Sequence, residues 1–264
     1  MTIVVSYPHL QRSGEPRPMA APAVWRAALW VRERLLGDAA LVEVPVERVV
    51  GGATAFRVNG IDFAAHWDLE HGVTDENGCP ALGVCEYDEG CPGAVLVSIN
   101  RELTGDRADL LRGTVLHELG HAVFDAPSWV LYGRQRSLGL GREAEPHRRI
   151  FRSVTVGEGH LATSRTKGGD AIDWREWRAN EFMGAFLAPP RLLAKRLSGL
   201  AAAAGLAPAA RASRAVVGAP AYDETRSDPA AVDTVVGALA ELFGVSERFI
   251  RVRLRRYDLL CRGG

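Results

Sequence analysis

Residues 115–124 read Val-Leu-His-Glu-Leu-Gly-His-Ala-Val-Phe and place two histidines and a glutamate inside an apolar run. On a helix, residues four apart lie on one face with Cβ atoms roughly 6 Å apart, so His117 and His121 can both direct a ring nitrogen at one metal ion. Glu118 lies one position round the helix. There it is outside the ligand set but able to hold and deprotonate a water molecule that the metal activates. The pattern therefore predicts a metal-dependent hydrolytic centre.

The alternative is that the two histidines are ordinary core residues beside an ion-paired glutamate. The residues around them are apolar and would bury this helix, and buried polar groups are costly unless they are paired or bound to a metal. Gly120 also lowers helix stability by roughly 1 kcal/mol relative to alanine, which is hard to explain in a helix without a functional role. Both observations favour the metal site.

The composition indicates a folded domain without net charge. Of the 264 residues, 47% are hydrophobic, and the 32 Lys and Arg residues equal the 32 Asp and Glu residues in number. This hydrophobic content suffices for a core, and the neutral balance gives no reason to expect nucleic acid or an anionic membrane as partner. The N-terminus has neither the basic segment nor the long apolar run of a signal peptide, so we expect a cytoplasmic protein.

Three cysteines, Cys79, Cys85 and Cys91, are equally spaced in a loop-rich stretch, and Cys261 lies near the C-terminus. In a reducing compartment we expect thiols that serve as small apolar residues in strands and turns. The equal spacing leaves a second metal site or a redox switch open, although the run lacks the short Cys-x2-Cys spacing of structural zinc sites.

Residues 41–100 change to short apolar runs separated by glycine-containing turns, the pattern of a small antiparallel sheet. The strongest hairpin prediction is Val58-Asn59-Gly60-Ile61. Residues 94–100 have the strongest strand pattern and lead into the motif helix, an arrangement common in zinc peptidases, where an edge strand pairs with an extended peptide substrate. The expected fold class is α+β: a zincin-like metallopeptidase core with a small mixed or antiparallel sheet and motif helices.

Changes in composition along the chain predict the domain organisation. Residues 1–21 carry several prolines among polar residues and are expected to be a flexible segment. Residues 22–193 form the zincin-like metallopeptidase domain, within which 125–172 is a long insertion that acts as a flap or is itself cleaved. An Ala- and Pro-rich linker follows at 194–227, and 228–264 form a C-terminal helical region of the helix-turn-helix type.

Two histidines leave a catalytic metal one protein ligand short, because catalytic zinc usually takes three and a water. The metzincin continuation is absent, since Phe124 stands where its glycine belongs. Glu176 lies on a predicted helix with Asn180 one turn later on the same face, where the amide could hydrogen-bond a metal-binding histidine. Glu181 is rotated about 100° away. The spacing favours Glu176 as third ligand, and its alternative role is a capping box with Asp173.

Two motifs of the chain resemble those of the ImmA/IrrE metallo-endopeptidases, which are HExxH enzymes of the gluzincin type. The first is His117-Glu118-Leu119-Gly120-His121, and the second runs Glu-Trp-Arg-Ala-Asn-Glu-Phe-Met-Gly-Ala-Phe-Leu-Ala-Pro from residue 176 to residue 189. The family's second motif is close to Glu-x-x-Ala-Asn-x-Phe-Ala-x-x-Leu-Leu-x-Pro. The resemblance covers roughly residues 83–260. It departs in the length of the 125–172 insertion.

The resemblance implies that His117, His121 and Glu176 are the metal ligands and Glu118 the general base, with Asn180 supporting a ligand. The expected cofactor is Zn²⁺, with Mn²⁺ as the second choice. The family is regulatory and cuts helix-turn-helix repressors of mobile elements or stress responses. The expected function is therefore hydrolysis of a peptide bond in a cytoplasmic DNA-binding repressor.

Two other functions stay open. The chain could be a non-proteolytic regulator that binds DNA or a repressor and carries a structural metal, because its last predicted helix contains several arginines that could face phosphates. These are Arg248, Arg251, Arg253, Arg255 and Arg256. Such runs also commonly form a solvated face, so only a weak DNA contact is expected. The chain could also belong to a toxin–antitoxin pair. No membrane partner is expected.

Overall fold

The computed structural model describes residues 1–75, 77–88, 90–137, 149–153 and 173–262. The chain divides into two compact units. Unit 1 comprises Met1–Ala39 and Pro45–Met183, and unit 2 comprises Ala40–Val44 and Gly184–Gly264. The boundary therefore lies after Met183 and inside a helix, not at the linker that we predicted.

Unit 1 contains both helices and strands, which confirms the α+β class. Its helices are α1 (Ala21–Leu36), α2 (Val46–Gly52), α3 (Arg101–Thr104), α4 (Ala108–Phe124), α5 (Ala126–Ser137) and most of α6 (Trp174–Leu187). Its strands are β1 (Thr2–Val5), β2 (Ala55–Val58), β3 (Ile61–Asp68), β4 (Ala81–Tyr87), β5 (Ala94–Ile99) and β6 (Arg149–Ser153).

The described strands of unit 1 form one mixed sheet in the order β1-β2-β3-β5-β4-β6. β1 pairs with β2 and β3 pairs with β5 in parallel, whereas the other neighbours are antiparallel. β5 is an interior strand, and all of its residues except Leu96 are buried. Its nearly continuous apolar run suits a strand that is covered on both faces. The strand that leads into the motif helix therefore has no exposed edge.

The predicted hairpin at Val58–Ile61 is confirmed. β2 and β3 pair antiparallel with Val58 opposite Ile61. The two turn residues have positive φ, 53° at Asn59 and 82° at Gly60. A two-residue turn of this kind needs both angles positive, which asparagine and glycine adopt most readily.

The predicted flexible segment at 1–21 is wrong in its first residues. Thr2–Val5 form β1, in which Ile3 and Val5 are buried and alternate with exposed residues. This two-residue period is the pattern of a strand with one covered face, and the prolines that follow it in the sequence had obscured it. Tyr7 lies just beyond, and its hydroxyl donates to the carbonyl of Val123 at 2.9 Å.

A second difference lies at Val46, within the 41–100 stretch whose short apolar runs predicted a sheet. Residues Val46–Gly52 form α2 instead, and Pro45 is the residue that precedes its first turn. Proline offers no N–H to a strand ladder, and its fixed φ favours a position next to a helix start. The apolar residues Val46 and Val49 are buried from this helix.

The predicted loop at 125–172 is wrong in two described parts. Residues Ala126–Ser137 form α5, whose Ala126, Trp129 and Val130 are buried. Residues Arg149–Ser153 form β6, which pairs antiparallel with β4. Residues 138–148 and 154–172, the rest of the predicted flap, lie outside the described residues.

Unit 2 contains the end of α6, α7 (Pro190–Ala204), β7 (Tyr222–Asp223), α8 (Pro229–Phe243), α9 (Glu247–Arg256) and β8 (Leu260–Cys261). The predicted linker at 194–227 is wrong, because α7 continues to Ala204 and β7 pairs in parallel with β8. Ser213, in the middle of the supposed linker, is buried and donates to the carbonyl of Tyr257 at 2.6 Å. The short side chains of this segment are therefore part of the packing of unit 2, and the segment is not an extended linker.

The last two helices agree with the predicted helical region. The side chain of Asp228 caps α8 by accepting from the N–H of Ala230 at 3.1 Å, and Ser246 caps α9 by accepting from Phe249 at 3.2 Å. The two helices are bent at 103° to each other, within the range of helix-turn-helix pairs. Among the described residues, no single helix has both the length and the apolar composition to cross a membrane; α8 and α9 meet these criteria only as a bent pair.

Gly184 of α6 lies against the side chain of Arg253. A Cβ atom at position 184 would lie 2.1 Å from Cζ of Arg253, far inside van der Waals contact. Arg253 is 1% exposed, so the guanidinium has little room to move aside. The glycine leaves the space that this buried arginine fills.

Candidate metal centre

The motif residues lie on α4, and the third predicted ligand lies on α6. α4 packs against β4 and β5, and its residues from Gly113 to Phe124 are buried. Gly120 lets α6 approach closely, because a Cβ atom there would lie 2.9 Å from Cα of Ala179. This approach brings Glu176, one turn before Ala179 on α6, to the two histidines. The glycine that a lone helix would not need therefore has a packing role.

His117, His121 and Glu176 converge on one point. The two Nε2 atoms of the histidines lie 3.1 Å apart. Glu176 places Oε2 3.3 Å from Nε2 of His117 and Oε1 3.3 Å from Nε2 of His121. Donors held about 2.05 Å from a zinc ion at tetrahedral angles are roughly 3.3 Å apart. The three side chains could therefore hold a metal ion, and among the described residues they are the group of His, Cys, Asp and Glu side chains that could do so.

The second ring nitrogen of each histidine has a partner of its own. Nδ1 of His117 lies 3.2 Å from Oδ1 of Asn180, and Nδ1 of His121 lies 2.8 Å from Oδ2 of Asp125. Arg178 donates to the other oxygen of Asp125 at 2.9 Å. Each Nδ1 thus faces an acceptor, which favours a proton on Nδ1, so that Nε2 can offer its lone pair to a metal once any proton there is lost. Metal-binding histidines are commonly held in this way.

The charges of the site favour ionised carboxylates. Burial would raise the pKa of Glu176, but the two histidines hold that pKa well below its ordinary value. Burial would also raise the pKa of Asp125, which His121 and Arg178 keep below its ordinary value. Burial lowers the pKa of His121, but the hydrogen bonds and charges of Asp125 and Glu176 outweigh it and raise the pKa to about 10. A cation that binds here must therefore displace a proton from His121.

Glu118 lies beside this group and is 0% exposed. Its carboxylate faces Gly83 of β4, where a Cβ atom would lie 3.0 Å from Oε1 of Glu118. The same Cβ atom would lie 2.9 Å from Cγ2 of Thr114, one turn earlier on α4. Gly83 thus provides the space in which the Glu118 carboxylate lies. Glu118 is not a member of the group of described side chains that could hold a metal ion.

The structure also distinguishes the two glutamates of α6. Glu181 is 2% exposed and accepts a hydrogen bond from the indole N–H of Trp25 at 2.6 Å, so it has a structural partner in α1. Asp173 caps α6 by accepting from the N–H of Arg175 at 2.9 Å, which confirms the predicted cap. The Glu176 carboxylate lies at the histidines, which favours the ligand role over the capping box.

Sequence reasoning missed Asp125 and Arg178. Asp125 had been placed at the start of the loop, although a spacing of four residues from His121 would put it on the same helical face. Arg178 had been given no role, yet the residue is 9% exposed. No local pattern identifies Arg178, because it is two residues from Glu176 and so lies on a different face of α6. Its bond to Asp125 exists only once α4 and α6 have packed.

Neither the cysteines nor the C-terminal arginines belong to the group of described side chains that could hold a metal ion. Cys85 is buried, whereas Cys79 and Cys91 are exposed, and each of the four cysteines is a free thiol. Arg251 pairs with Asp233, and Arg255 pairs with Glu224 at 3.0 Å. Arg253 is buried, so Arg251, Arg253 and Arg255 each have a partner or cover within unit 2.

Comparison of the sequence with models of known protein families and with curated proteins gives no match. The geometry of the site and the motif spacing therefore carry the functional argument alone.

Proposed function

We propose that the chain is a zinc-dependent endopeptidase with a zincin-like core, of the kind found in the ImmA/IrrE family, with manganese as the alternative metal. His117, His121 and Glu176 are its ligands and Glu118 is its general base. One observation carries the proposal: the donor atoms of two helices lie 3.1 to 3.3 Å apart, while the remaining ring nitrogens face Asn180 and Asp125.

The chain's own residues supply the acid–base chemistry. When bound, a divalent metal would act as a Lewis acid and make a water molecule acidic enough to lose a proton at neutral pH. Glu118 accepts the proton of that water and delivers it to the nitrogen of the departing peptide fragment. Asp125 and Asn180 keep both imidazoles oriented, and Arg178 keeps Asp125 ionised and in place.

The proposed substrate is an extended or locally unfolded segment of a regulatory protein, with a helix-turn-helix repressor as the expected partner. A strand edge recognises backbone, which a folded helix does not expose. The proposed setting is the reducing cytoplasm, which agrees with four cysteines in the free-thiol state. DNA contact through α9 remains a weak secondary expectation.

The test compares the parent with Glu118→Gln after both are loaded with zinc. Both should hold about one equivalent of metal, because Glu118 lies outside the ligand set. The parent should cleave the regulator encoded by the adjacent gene, and Glu118→Gln should do so about 10²–10⁴-fold more slowly. Equal cleavage by the two proteins would refute the base role. Rapid digestion of casein without sequence preference would refute the regulatory role.

A further inference from the structure

The outer edge of β4 lies beside the candidate metal centre, and a segment of the same chain occupies it. β4 lies between β5 and β6 and pairs antiparallel with both. Residues 149–153 are the strand on its outer side. Their Cα partners, in order, place Arg149 opposite Glu86, Ile150 opposite Cys85, Phe151 opposite Val84 and Arg152 opposite Gly83. β6 therefore takes the backbone hydrogen-bonding edge that an added strand would need.

Gly83 connects this edge to the general base. A Cβ atom at Gly83 would lie 3.0 Å from Oε1 of Glu118, so the β4 backbone borders that carboxylate directly. Neighbouring strands are about 4.8 Å apart, which places the backbone of Arg152 one strand spacing from Gly83. β6 also contacts α4, the helix that carries Glu118.

The site has little access to solvent in this arrangement. Glu118 is 0% exposed, and the side chains of His117 and His121 are 3% and 0% exposed. The Glu176 side chain, at 28%, is the most exposed of the four. A base that must meet a water molecule and a peptide bond needs a more open arrangement than this one.

We propose that residues 149–153 are a built-in competitor for the substrate, which binds to the β4 edge by displacing them. The link to hydrolysis rests on the proposed function, whereas the pairing and its displacement do not. An antiparallel peptide added to β4 would form the same backbone hydrogen bonds as β6. The tethered strand has the advantage of a high effective concentration, so only a segment that pairs well or docks elsewhere replaces it. Slow and selective cleavage follows from this competition.

The first experiment locks β6 onto β4. Cys85 and Ile150 are Cα partners, and opposite residues of an antiparallel pair have Cα atoms about 4.5–5.5 Å apart, within the range that a disulfide spans. Ile150→Cys should form a disulfide with Cys85 on oxidation, identified by mass spectrometry of the digested protein. Arg149→Cys, whose partner is Glu86, is the matched control and should not. Failure of Ile150→Cys to link to Cys85 would overturn the pairing.

The second experiment releases β6. Alternate N–H groups of a strand face its partner, so one of residues 150 and 151 donates to β4. Ile150→Pro together with Phe151→Pro removes that donor, whereas Ile150→Val with Phe151→Tyr retains it. The probe is a fluorescein-labelled peptide with the chain's own sequence from 148 to 155, Arg-Arg-Ile-Phe-Arg-Ser-Val-Thr. It should bind the proline variant at least about tenfold more tightly than the parent or the Val/Tyr control.

The locked protein makes the proposal falsifiable even where the proline variant folds poorly. Oxidised Ile150→Cys should not bind the probe, and reduction should restore the parent's binding. Equal binding by the oxidised and reduced forms would overturn the proposal. The two proposals fail separately: loss of zinc binding or of cleavage leaves the probe results standing, whereas equal cleavage by the locked and reduced forms refutes the competitor while the peptidase remains.

Discussion

The two motif histidines differ in what holds them. His117 faces the neutral amide of Asn180, whereas His121 faces the carboxylate of Asp125, which Arg178 also binds. A carboxylate behind an imidazole increases its basicity and its strength as a metal ligand. We therefore expect His121 to be the stronger of the two ligands.

The ligand set can be tested with two substitutions on one helix. Glu176→Gln replaces a carboxylate that faces both histidines by a neutral amide and should reduce bound zinc by at least about tenfold. Glu181→Gln is the matched control, because its amide oxygen can still accept from Trp25 and it should retain the metal. Metal content after dialysis is the measurement. Loss of metal from Glu181→Gln but not from Glu176→Gln would show that Glu181, and not Glu176, is the third ligand.

The raised pKa of His121 gives metal binding a pH dependence. At pH 7.5 this ring carries a proton, because its pKa is about 10, so zinc binding should release about one proton. Calorimetric titration in buffers of different ionisation enthalpy measures that release. It should fall in Asp125→Asn, which lacks the charge that helps to raise the pKa. A binding heat that is independent of the buffer would contradict the prediction.

The same shift determines how stability responds to pH after treatment with a chelator. The folded pKa of about 10 lies above the ordinary value of 6.5, so the protonated ring stabilises the fold fully below about pH 6.5. This contribution is lost as the pH rises towards 10. The unfolding midpoint in urea should therefore fall over that range, and His121→Gln should show a smaller fall.

Local spacing was sufficient for the proposed ligands and for Asn180, but not for Asp125 and Arg178. His117 and His121 could be chosen from their spacing on one predicted helix and Glu176 from its spacing to Asn180 on another. The structure brings the three together. The bond between Asp125 and Arg178 joins residues 53 positions apart. No spacing along the sequence encodes such a pair, because it exists only after α4 and α6 have packed.

At the scale of elements, the closeness of α4 and α6 depends on Gly120. Gly120→Ala would place a methyl group 2.9 Å from Cα of Ala179, so the helices must separate and carry Glu176 away from the histidines. We expect a loss of about 1–3 kcal/mol in stability together with weaker zinc binding.

Gly199→Ala in α7 is the matched control for that substitution. A Cβ atom there meets nothing within 4 Å, so alanine should stabilise the helix by about 0.4–1 kcal/mol. Urea unfolding and zinc titration measure both effects. A Gly120→Ala protein as stable as Gly199→Ala would show that the close approach is not required.

The order of strands in the sheet could not be predicted from their sequence. The pattern of β5 identified a buried strand and its connection to α4, and both are present. Its neighbours are β3 and β4, and β4 is covered in turn by β6 from the supposed loop. Pairing partners far apart in sequence are selected by the packing of the whole sheet, which local periodicity does not report.

At the scale of the molecule, balanced charge predicts weak binding to DNA. Positive and negative side chains are 32 each, and Arg251 and Arg255 already pair with carboxylates. Fluorescence anisotropy with a labelled duplex at 150 mM salt should give a dissociation constant no tighter than about 10⁻⁶ M. Nanomolar binding that weakens steeply with salt would instead support the DNA-binding alternative.

The division into units was the least predictable property. Low-complexity composition at 194–227 suggested a linker, but small residues such as Ser213 and Ala219 are buried there. Alanine, glycine and serine suit both a linker and a closely packed segment, so composition alone does not distinguish the two. The boundary after Met183 lies within a continuous helical pattern, where the sequence has no break.

The contact between Gly184 and Arg253 has an evolutionary consequence. A methyl group at 184 and a guanidinium at 253 exclude each other at 2.1 Å, so the two positions should change together among homologues. In a chain with alanine at 184, we expect glycine to replace it before arginine occupies position 253. Such chains should pair alanine at the first position with a smaller residue at the second, and the reverse order of substitution would pass through a destabilised intermediate.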